Sequence, residues 1–410
     1  MTTRAPCPLP AIRLSYTYHS HRELEKHPVS QLPSFPPRIS ARTYAERIEA
    51  ARASLIASGL DALLVSAGDS LRYFTGLTWG GTERLVVVVI PAFGAAYMIC
   101  PHFELGSLAE SIKLQLDVRS WEEDASPFLL AMDGFADRSH VALDRDLTLR
   151  IAASLRNARP GITFTDDPGI VDTLRACKSA EEIALIRHAM AITLQVQKDA
   201  WEFLRPGVRA SEVIRFIDTR HRALGADNGS WFCAVQFGPA TAFPHGLPGD
   251  QLLAENDLVL VDTGCCLDGY HSDITRTYAF GTPDPEHERI WVIEKEAQLA
   301  AFDAARPGVP CEAVDGAARA VLEKHDLGPG YTLPGLPHRT GHGIGLSIHE
   351  FPYLVRGNTT PLDSGNCCSN EPMIVVPGRF GIRLEDHFHI TPTGARWFTE
   401  PSHSITKPFD

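Results

Sequence analysis

The sequence predicts an α+β fold in which a smaller α/β domain precedes a larger domain with antiparallel strands. Its 410 residues exceed what one typical hydrophobic core holds, and the composition, 44% hydrophobic and 21% charged, is that of a globular protein. Strands and helices alternate up to about residue 170 and occur in runs after it, which indicates antiparallel pairing in the second part.

The first 172 residues divide into an arm and a domain. Residues 1–38 are rich in proline and polar residues and predict an extended arm. Domain 39–172 begins with a helix that Gly59 ends, and a strand in DALLVSA follows. RLVVVVIP, AAYMICP and VALD predict further strands, with helices near 103–113 and from about Leu147. Few polar groups cluster here, so we expect this domain to support the fold or an oligomer interface.

The second domain comprises residues 173–410. Close to its start, Ser179 and Glu182 form a capping-box pattern, which predicts the beginning of a long helix. The remaining predicted elements are a helix from about Ser211, strands near 231–237 and 257–280, two helices within 285–325, and short strands to the end.

Charge and composition exclude several classes of protein. The net charge of −12 disfavours nucleic acid or an anionic membrane as the main partner. No run of about 18 apolar residues predicts a membrane span, and the N-terminal residues lack the apolar core of a secretory signal. The nine cysteines lack the dense spacing of a disulfide framework. A cytoplasmic protein is the expectation.

Two aspartates lie in VDTGCCLDGYHSDITRT, which predicts a β-hairpin. A turn at Leu267-Asp268 places Asp262 opposite Asp273, whereas a turn at Asp268-Gly269 makes Asp262 face Thr275 with Asp273 on the diagonal. In both registers the two carboxylates share a face, roughly 4.5 to 8 Å apart. Such like charges are unfavourable unless a cation or a shared proton lies between them.

Other interpretations of this hairpin remain open. One aspartate could cap a turn while the other meets Arg276 or solvent, and Asp268 is expected to serve the turn. The adjacent pairs Cys265-Cys266 and Cys367-Cys368 are expected to be packing residues, because neighbours on a strand point to opposite faces.

Two later segments carry histidines and acids. PHRTGHGIGLSIHE contains His338, His342 and His349 among glycines that would each cost about 1 kcal/mol in a helix. The segment therefore predicts a bend around a ligand, and it lacks the HExxH pattern of zinc proteases. Glu371 precedes a proline. IRLEDHFHI predicts one alternating strand in which Arg383, Glu385, His387 and His389 share a face, which could also simply be solvated.

Together, VDTGCCLDGYHSDITRT, TGHGIGLSIHE, NEP and RLED resemble the metal-binding signature of the pita-bread metallopeptidases, which include methionine aminopeptidase, aminopeptidase P and prolidase. The resemblance runs from about Lys178 to the end and implies a pita-bread catalytic domain. DALLVSAGDSLRYFTG resembles the creatinase-type N-terminal domain of the same proteins. The metal ligands of the family fall on Asp262, Asp273, His342, Glu371 and Glu385.

The resemblance implies two divalent metal ions. The oxygen-rich ligand set favours manganese, with zinc, cobalt or iron as alternatives. Asp262 would chelate one ion, Asp273 and Glu385 would bridge both, and His342 with Glu371 would complete the second. Glu371 is also the implied catalytic proton shuttle to the leaving amine.

Four helper residues match the aminopeptidase P and prolidase branch. The resemblance implies that His245 and His349 stabilise the oxyanion or hold the peptide. His338 and Arg383 would bind the substrate carboxylate or orient metal ligands, and a structural salt bridge from Arg383 to Asp273 or Glu385 is the alternative. Two features depart from the family: Val375 replaces a tyrosine, and the interval between the two glutamates is short.

The expected function is therefore a prolidase that cleaves Xaa-Pro dipeptides. Its alternatives are an aminopeptidase P, a hydrolase of a related small amide, and a non-catalytic pita-bread binding module. The resemblance further implies a homodimer, a small peptide substrate, and no nucleic-acid or membrane partner.

Overall fold

A computed structural model describes residues 32–409 of the chain. Most of the predicted arm, residues 1–31, lies outside the described residues, and residues 32–40 have no regular secondary structure. None of the helices in the described part combines the length and apolar character needed to cross a bilayer.

The first unit is built on a six-stranded sheet with the strand order β4-β3-β2-β1-β5-β6. The β1-β2 and β2-β3 pairs are antiparallel, and the other three pairs are parallel. Alternate residues of β1 and β2 belong to two different buried clusters, one on each face of the sheet. Both faces are thus covered, which explains the unbroken apolar runs in the sequence. The strands are Ala62–Ser66 (β1), Val87–Pro91 (β2), Tyr97–Pro101 (β3), Asp117–Trp121 (β4), His140–Leu143 (β5) and Thr163–Asp166 (β6).

The predicted first helix is present and has both of its end signals. The Ser40 hydroxyl accepts a hydrogen bond from the Thr43 amide at 3.2 Å, and Gly59 ends the helix with a left-handed φ of 66°. The helices of this unit are Ala41–Ser58 (α1), Asp69–Thr75 (α2), Leu105–Ser111 (α3), Pro127–Ala131 (α4), Leu149–Ala158 (α5) and Ile170–Ala176 (α6).

The second unit combines four α-helices and one short 3-10 helix, Gly238–Ala242, with eleven strands among the described residues. The predicted capping box is present, since Ser179 and Glu182 each accept the other's backbone amide. The helices are Ala180–Phe203 (α7), Ala210–Ala223 (α8), Pro285–Ala304 (α9) and Cys311–Lys324 (α10). The strands are Ser230–Phe237 (β7), Leu258–Leu267 (β8), Tyr270–His271 (β9), Ile274–Ala279 (β10), Gly341–Gly343 (β11), Glu350–Leu354 (β12), Cys367–Asn370 (β13), Met373–Val376 (β14), Phe380–Arg383 (β15), Asp386–Thr391 (β16) and Gly394–Trp397 (β17).

These strands form antiparallel sheets, as the α+β prediction requires. One sheet has the order β10-β8-β7, with β9 paired to β8, and a second has the order β12-β11-β13-β16-β17. The β14-β15 hairpin is separate and has a three-residue loop, since Val376 pairs with Phe380. This short hairpin accounts for the short interval in the sequence between the last two candidate glutamates.

The segment IRLEDHFHI was predicted as one strand, and this prediction is wrong. It forms β15 and β16, which belong to different sheets, and Glu385 lies in the break between them. Arg276, which is fully buried, donates to the Glu385 carbonyl at 2.8 Å and to the Asp386 carboxylate at 2.7 Å. The Glu385 amide in turn donates to the Thr275 carbonyl at 3.1 Å. These long-range contacts replace the hydrogen bonds of a continuous strand.

Candidate metal centre

The β8-β9-β10 hairpin turns at Asp268-Gly269, the second of the two predicted registers. Both residues have positive φ, 47° and 82°, as a two-residue type I′ turn requires. Asp262 consequently pairs with Thr275, and Asp273 lies on the diagonal of the same face. Asp268 serves the turn as expected and accepts a hydrogen bond from Arg72 at 3.4 Å.

The other interpretation of the hairpin is not realised. Arg276 forms its ion pair with Asp386 at 2.7 Å and not with Asp262 or Asp273. Both hairpin aspartates belong instead to the cluster described below. Three of the four neighbouring cysteines pack as predicted, since Cys265, Cys367 and Cys368 are fully buried, whereas Cys266 is half-buried. No cysteine of the described part forms a disulfide.

Four buried side chains from three segments converge beside this hairpin. Asp273, His342, Glu385 and His387 each place one potential ligand atom within 4.8 Å of the others. A third predicted acid joins them, since Glu371 Oε1 lies 3.1 Å from His342 Nε2. Asp262 approaches from β8, close enough for its charge to raise the pKa of Asp273. The five predicted ligands are therefore neighbours in space.

Three carboxylate oxygens in this cluster lack a hydrogen-bond partner among the described residues. They are Asp262 Oδ1, Asp273 Oδ1 and Glu385 Oε1, and all three are buried from solvent. The second oxygen of Glu385 accepts a hydrogen bond from the Thr275 hydroxyl at 2.6 Å, which fixes the side chain. Buried oxygens without partners are rare in folded proteins, and bound cations would satisfy all three. The donor set therefore fits divalent ions.

The pKa values show how unfavourable the cluster is without a cation. Burial, followed by the charges of Glu385 and Asp262, raises the pKa of Asp273 well above its usual value. Burial and the charges of Glu371 and Asp262 do the same for Glu385, and burial raises the pKa of Asp262. These carboxyl groups favour the protonated state because the site concentrates negative charge in a dry environment.

Glu371 differs from the other acids of the cluster. Burial acts to raise its pKa, but the hydrogen bond and positive charge of His342, with smaller effects of His338 and Arg383, lower it below the usual range. The Ser369 hydroxyl also donates to Glu371 Oε1 at 3.1 Å. This carboxylate is consequently ionised and able to accept a proton.

His342 is held in the orientation expected of a metal ligand. Its Nδ1 donates to the Gly343 carbonyl at 3.0 Å, which leaves Nε2, 3.1 Å from Glu371 Oε1, as the ring nitrogen that would bind an ion. The His342 amide donates to the Ser369 hydroxyl at 2.8 Å, which ties β11 to β13.

A cavity of about 560 Å³ opens beside the cluster. All four predicted helper residues line it. The ring of His349 lies 4.2 Å from that of His342, and burial together with the charge of His342 lowers the pKa of His349 to about 4. The full lining is Pro244, His245, Tyr331, Pro337, His338, Arg339, His342, His349, Glu371 and Arg383.

The partner of Arg383 differs from both predicted ones. Its guanidinium donates to Asp262 instead of forming a bridge to Asp273 or Glu385. It also donates to the Thr275 hydroxyl at 3.0 Å. The reason is the hairpin register, which places Asp262 and Thr275 side by side on adjacent strands.

Three residues of the site were missed or left unassigned by the sequence analysis. His387 was placed on the same face as Glu385 without a role, and that alternation was its only signal. Tyr331 and Arg339 line the cavity from YTLPGLPHR, a segment with no regular period. Val375, which stands where the family has a tyrosine, is buried in β14 and does not line the cavity.

The sequence of the chain matches two families of known proteins. The sequence model of metallopeptidase family M24 matches residues 184–392, and the model of the creatinase/prolidase N-terminal domain matches residues 47–177. A probable dipeptidase PepE of Mycobacterium tuberculosis is 38% identical over 87% of this chain and 95% of its own length.

Two further relatives agree with this result. An Xaa-Pro dipeptidase of Lactobacillus helveticus is 33% identical over 85% of this chain and 95% of its own length. The crystal structure of dipeptidase PepE from Mycobacterium ulcerans superposes with a TM-score of 0.83 at 35% identity, covering 90% of this chain and 99% of that chain.

Proposed function

This chain belongs to metallopeptidase family M24, and we propose that it is a dinuclear metal-dependent dipeptidase that cleaves the bond before proline in Xaa-Pro dipeptides. The observation that carries the proposal is the convergence of buried, unpartnered carboxylate oxygens beside an open cavity. A binding module that had lost catalysis would have no need to keep so unfavourable a cluster of charges.

The proposed ligands are Asp262, Asp273, His342, Glu371 and Glu385. Asp262 and Asp273 would hold the ions from the hairpin, and His342, Glu371 and Glu385 would hold them from the segments beside it. Manganese suits this set of four carboxylates and one imidazole, and zinc, cobalt or iron are alternatives. When bound, two such ions supply an acidified water and polarise the scissile carbonyl.

The side chains around the cluster would supply the proton transfers and the positioning. Glu371, which is ionised, would take the proton of the attacking water and deliver it to the proline nitrogen that leaves. His349, whose pKa of about 4 keeps it neutral at pH 7, would donate its remaining N–H to the developing oxyanion or hold the peptide, together with His245. Arg383 would act by orienting Asp262, the carboxylate to which it donates.

Arg339 supports a dipeptide substrate. Its guanidinium lies 4.3 Å from the centre of the Tyr353 ring, lines the cavity, and forms no ion pair with the described residues. A dipeptide has its free carboxylate close to the scissile bond, and a guanidinium binds a carboxylate with two hydrogen bonds. We propose that Arg339, with His338 beside it, binds that carboxylate, while Arg383 is fully occupied within the protein.

Three substrates test the proposal with the purified protein and added manganese. Hydrolysis of Ala-Pro, with little or no hydrolysis of Ala-Pro-Ala and Ala-Ala, is the expected result. Cleavage of Ala-Pro-Ala alone would instead establish the aminopeptidase P activity. Cleavage of Ala-Ala at a comparable rate would remove the specificity for proline, and failure to cleave any of the three would leave the amide hydrolase as the alternative.

A homodimer in the cytoplasm is the remaining part of the proposal. The assembly is tested by light scattering coupled to size-exclusion chromatography. A dimer has twice the 44.9 kDa mass of the chain, and a mass equal to one chain would contradict it.

A further inference from the structure

His387 belongs to the cluster, although none of the five proposed ligand positions includes it. It is on β16, two residues after Glu385, and pairs with Ser369 of β13. Its side chain is fully buried, and neither ring nitrogen makes a hydrogen bond of good geometry in the part of the chain that the structure describes, although the Asp273 backbone lies close enough to influence the pKa of the ring. The ring is shielded from solvent, and the Asp273 backbone can serve only one of its two nitrogens, so the other needs a partner.

The surroundings of the ring indicate what that partner is. One ring nitrogen of His387 lies within 4.8 Å of ligand atoms of Asp273, His342 and Glu385. Its ring centre is 5.9 Å from that of His342, at an angle of 67°. A neutral imidazole aimed at carboxylate oxygens that themselves lack partners is the arrangement in which a shared cation satisfies every group.

His389 on the same strand shows that burial on this face does not by itself produce such an arrangement. It lies two residues further along β16, and its ring packs 5.0 Å from the Phe398 ring, outside the cluster. The two histidines have the same strand environment, but only His387 is directed at the unpartnered carboxylates.

We propose that His387 is a sixth ligand of the metal centre and that it increases the preference of the site for zinc and cobalt over manganese. The inference rests on the proposed function, because it requires that the cluster binds divalent ions. Imidazole suits zinc and the later first-row metals, whereas carboxylates suit manganese. A second imidazole therefore makes the site more selective for zinc and cobalt than the other five ligands would be.

Metal titrations of the His387→Thr variant test the proposal. Threonine suits a strand and removes the imidazole. The wild type, His387→Thr and the matched control His389→Thr are freed of metal with a chelator and titrated separately with zinc, cobalt and manganese in a calorimeter. In His387→Thr, one of the two sites should bind zinc and cobalt about 10- to 100-fold more weakly. The manganese affinity should change less, and His389→Thr should match the wild type.

The visible spectrum of the cobalt-loaded protein provides a second measurement that does not depend on activity. Loss of a nitrogen ligand should change the intensity of the cobalt bands in His387→Thr and leave them unchanged in His389→Thr. His387→Gln, which keeps more of the side-chain volume, repeats the test if the threonine variant fails to fold, as judged by circular dichroism.

The outcomes separate this inference from the function on which it rests. Equal zinc and manganese affinities in the wild type and both His387 variants, with identical cobalt spectra, would overturn the role of His387 and leave the peptidase proposal intact. A wild-type protein that binds no divalent ion would overturn both.

Discussion

Asp262 and Asp273 lie on one face of a hairpin, where their charges oppose folding. Glu385 adds a third carboxylate, and the pKa of each of the three is raised because burial and the neighbouring acids disfavour ionisation. Arg383 compensates only in part, since its guanidinium is occupied by Asp262 and by the Thr275 hydroxyl. The arrangement becomes favourable once cations lie among the oxygens.

Asp273→Asn should therefore lose metal and activity together. An amide is a weak ligand, so the loss of several kcal/mol of charge stabilisation corresponds to a decrease in kcat of about 10³-fold or more. Metal content by mass spectrometry and hydrolysis of Ala-Pro measure the two effects. The control is Asp268→Asn, because asparagine tolerates the left-handed conformation of the turn and should retain both properties. Full activity in Asp273→Asn would refute its role as a ligand.

The metal-free protein should become less stable as the pH rises. A carboxyl group with a raised pKa in the folded state contributes its stability below the pKa of the unfolded chain, about 4, and loses it as the pH rises through the folded value. The free energy of unfolding of chelator-treated protein should therefore fall between pH 5 and 8, and added manganese should reduce that fall. Asp273→Asn should be more stable than the metal-free wild type at pH 7. A flat wild-type profile would contradict the proposed strain.

At the scale of elements, the site depends on how closely three strands approach. Asp262 lies in β8 and Asp273 directly precedes β10, and a hydrogen bond from the Thr275 hydroxyl attaches Glu385 to this hairpin. Gly264, on β8 between the two aspartates, permits the close approach, because a Cβ there would lie 1.9 Å from the Ser272 carbonyl oxygen. The local sequence favours the hairpin, but the short distance between its two strands requires a residue without a side chain at position 264.

Gly264→Ala should separate the strands and disturb the site. Overpacking against a backbone atom costs about 1 to 3 kcal/mol, and the displaced aspartates should bind metal more weakly. Denaturant unfolding and metal titration check both effects. Gly316→Ala is the control: this glycine lies in α10 with nothing within 4 Å of an added Cβ, so alanine should stabilise by about 0.5 to 1 kcal/mol. Unchanged stability and metal affinity in Gly264→Ala would show that the strands tolerate the side chain.

At the scale of the whole molecule, the two units share buried ion pairs as well as apolar contacts. Glu350, next to His349 in the chain, lies 2.6 Å from both Arg175 and Lys178. Arg47 of α1 lies 3.1 Å from Glu182 of the capping box. One apolar cluster also contains residues from both units. The position of His349 at the cavity is therefore coupled to the contact between the units.

Glu350→Gln should destabilise the protein much more than a surface substitution. It leaves two buried cations without a counter-charge, at a cost of about 3 to 5 kcal/mol. Glu46→Gln removes an exposed partner of Arg42 and should change stability by no more than about 0.5 kcal/mol. Denaturant unfolding of both variants measures the difference, and similar values would show that the buried pairs contribute little.

The sequence alone determined the residue types of the site, the α+β architecture, the first helix with its Ser40 and Gly59 ends, and the capping box. These follow from local patterns, because caps, turns and periodicity act over a few residues. Only the tertiary structure decided the break at Glu385, the pairing of Arg383 with Asp262, and the position of His387 among the acids. Each depends on contacts between segments more than a hundred residues apart in the chain. The pairing of the sheets brings these segments together, and no local sequence pattern specifies that pairing.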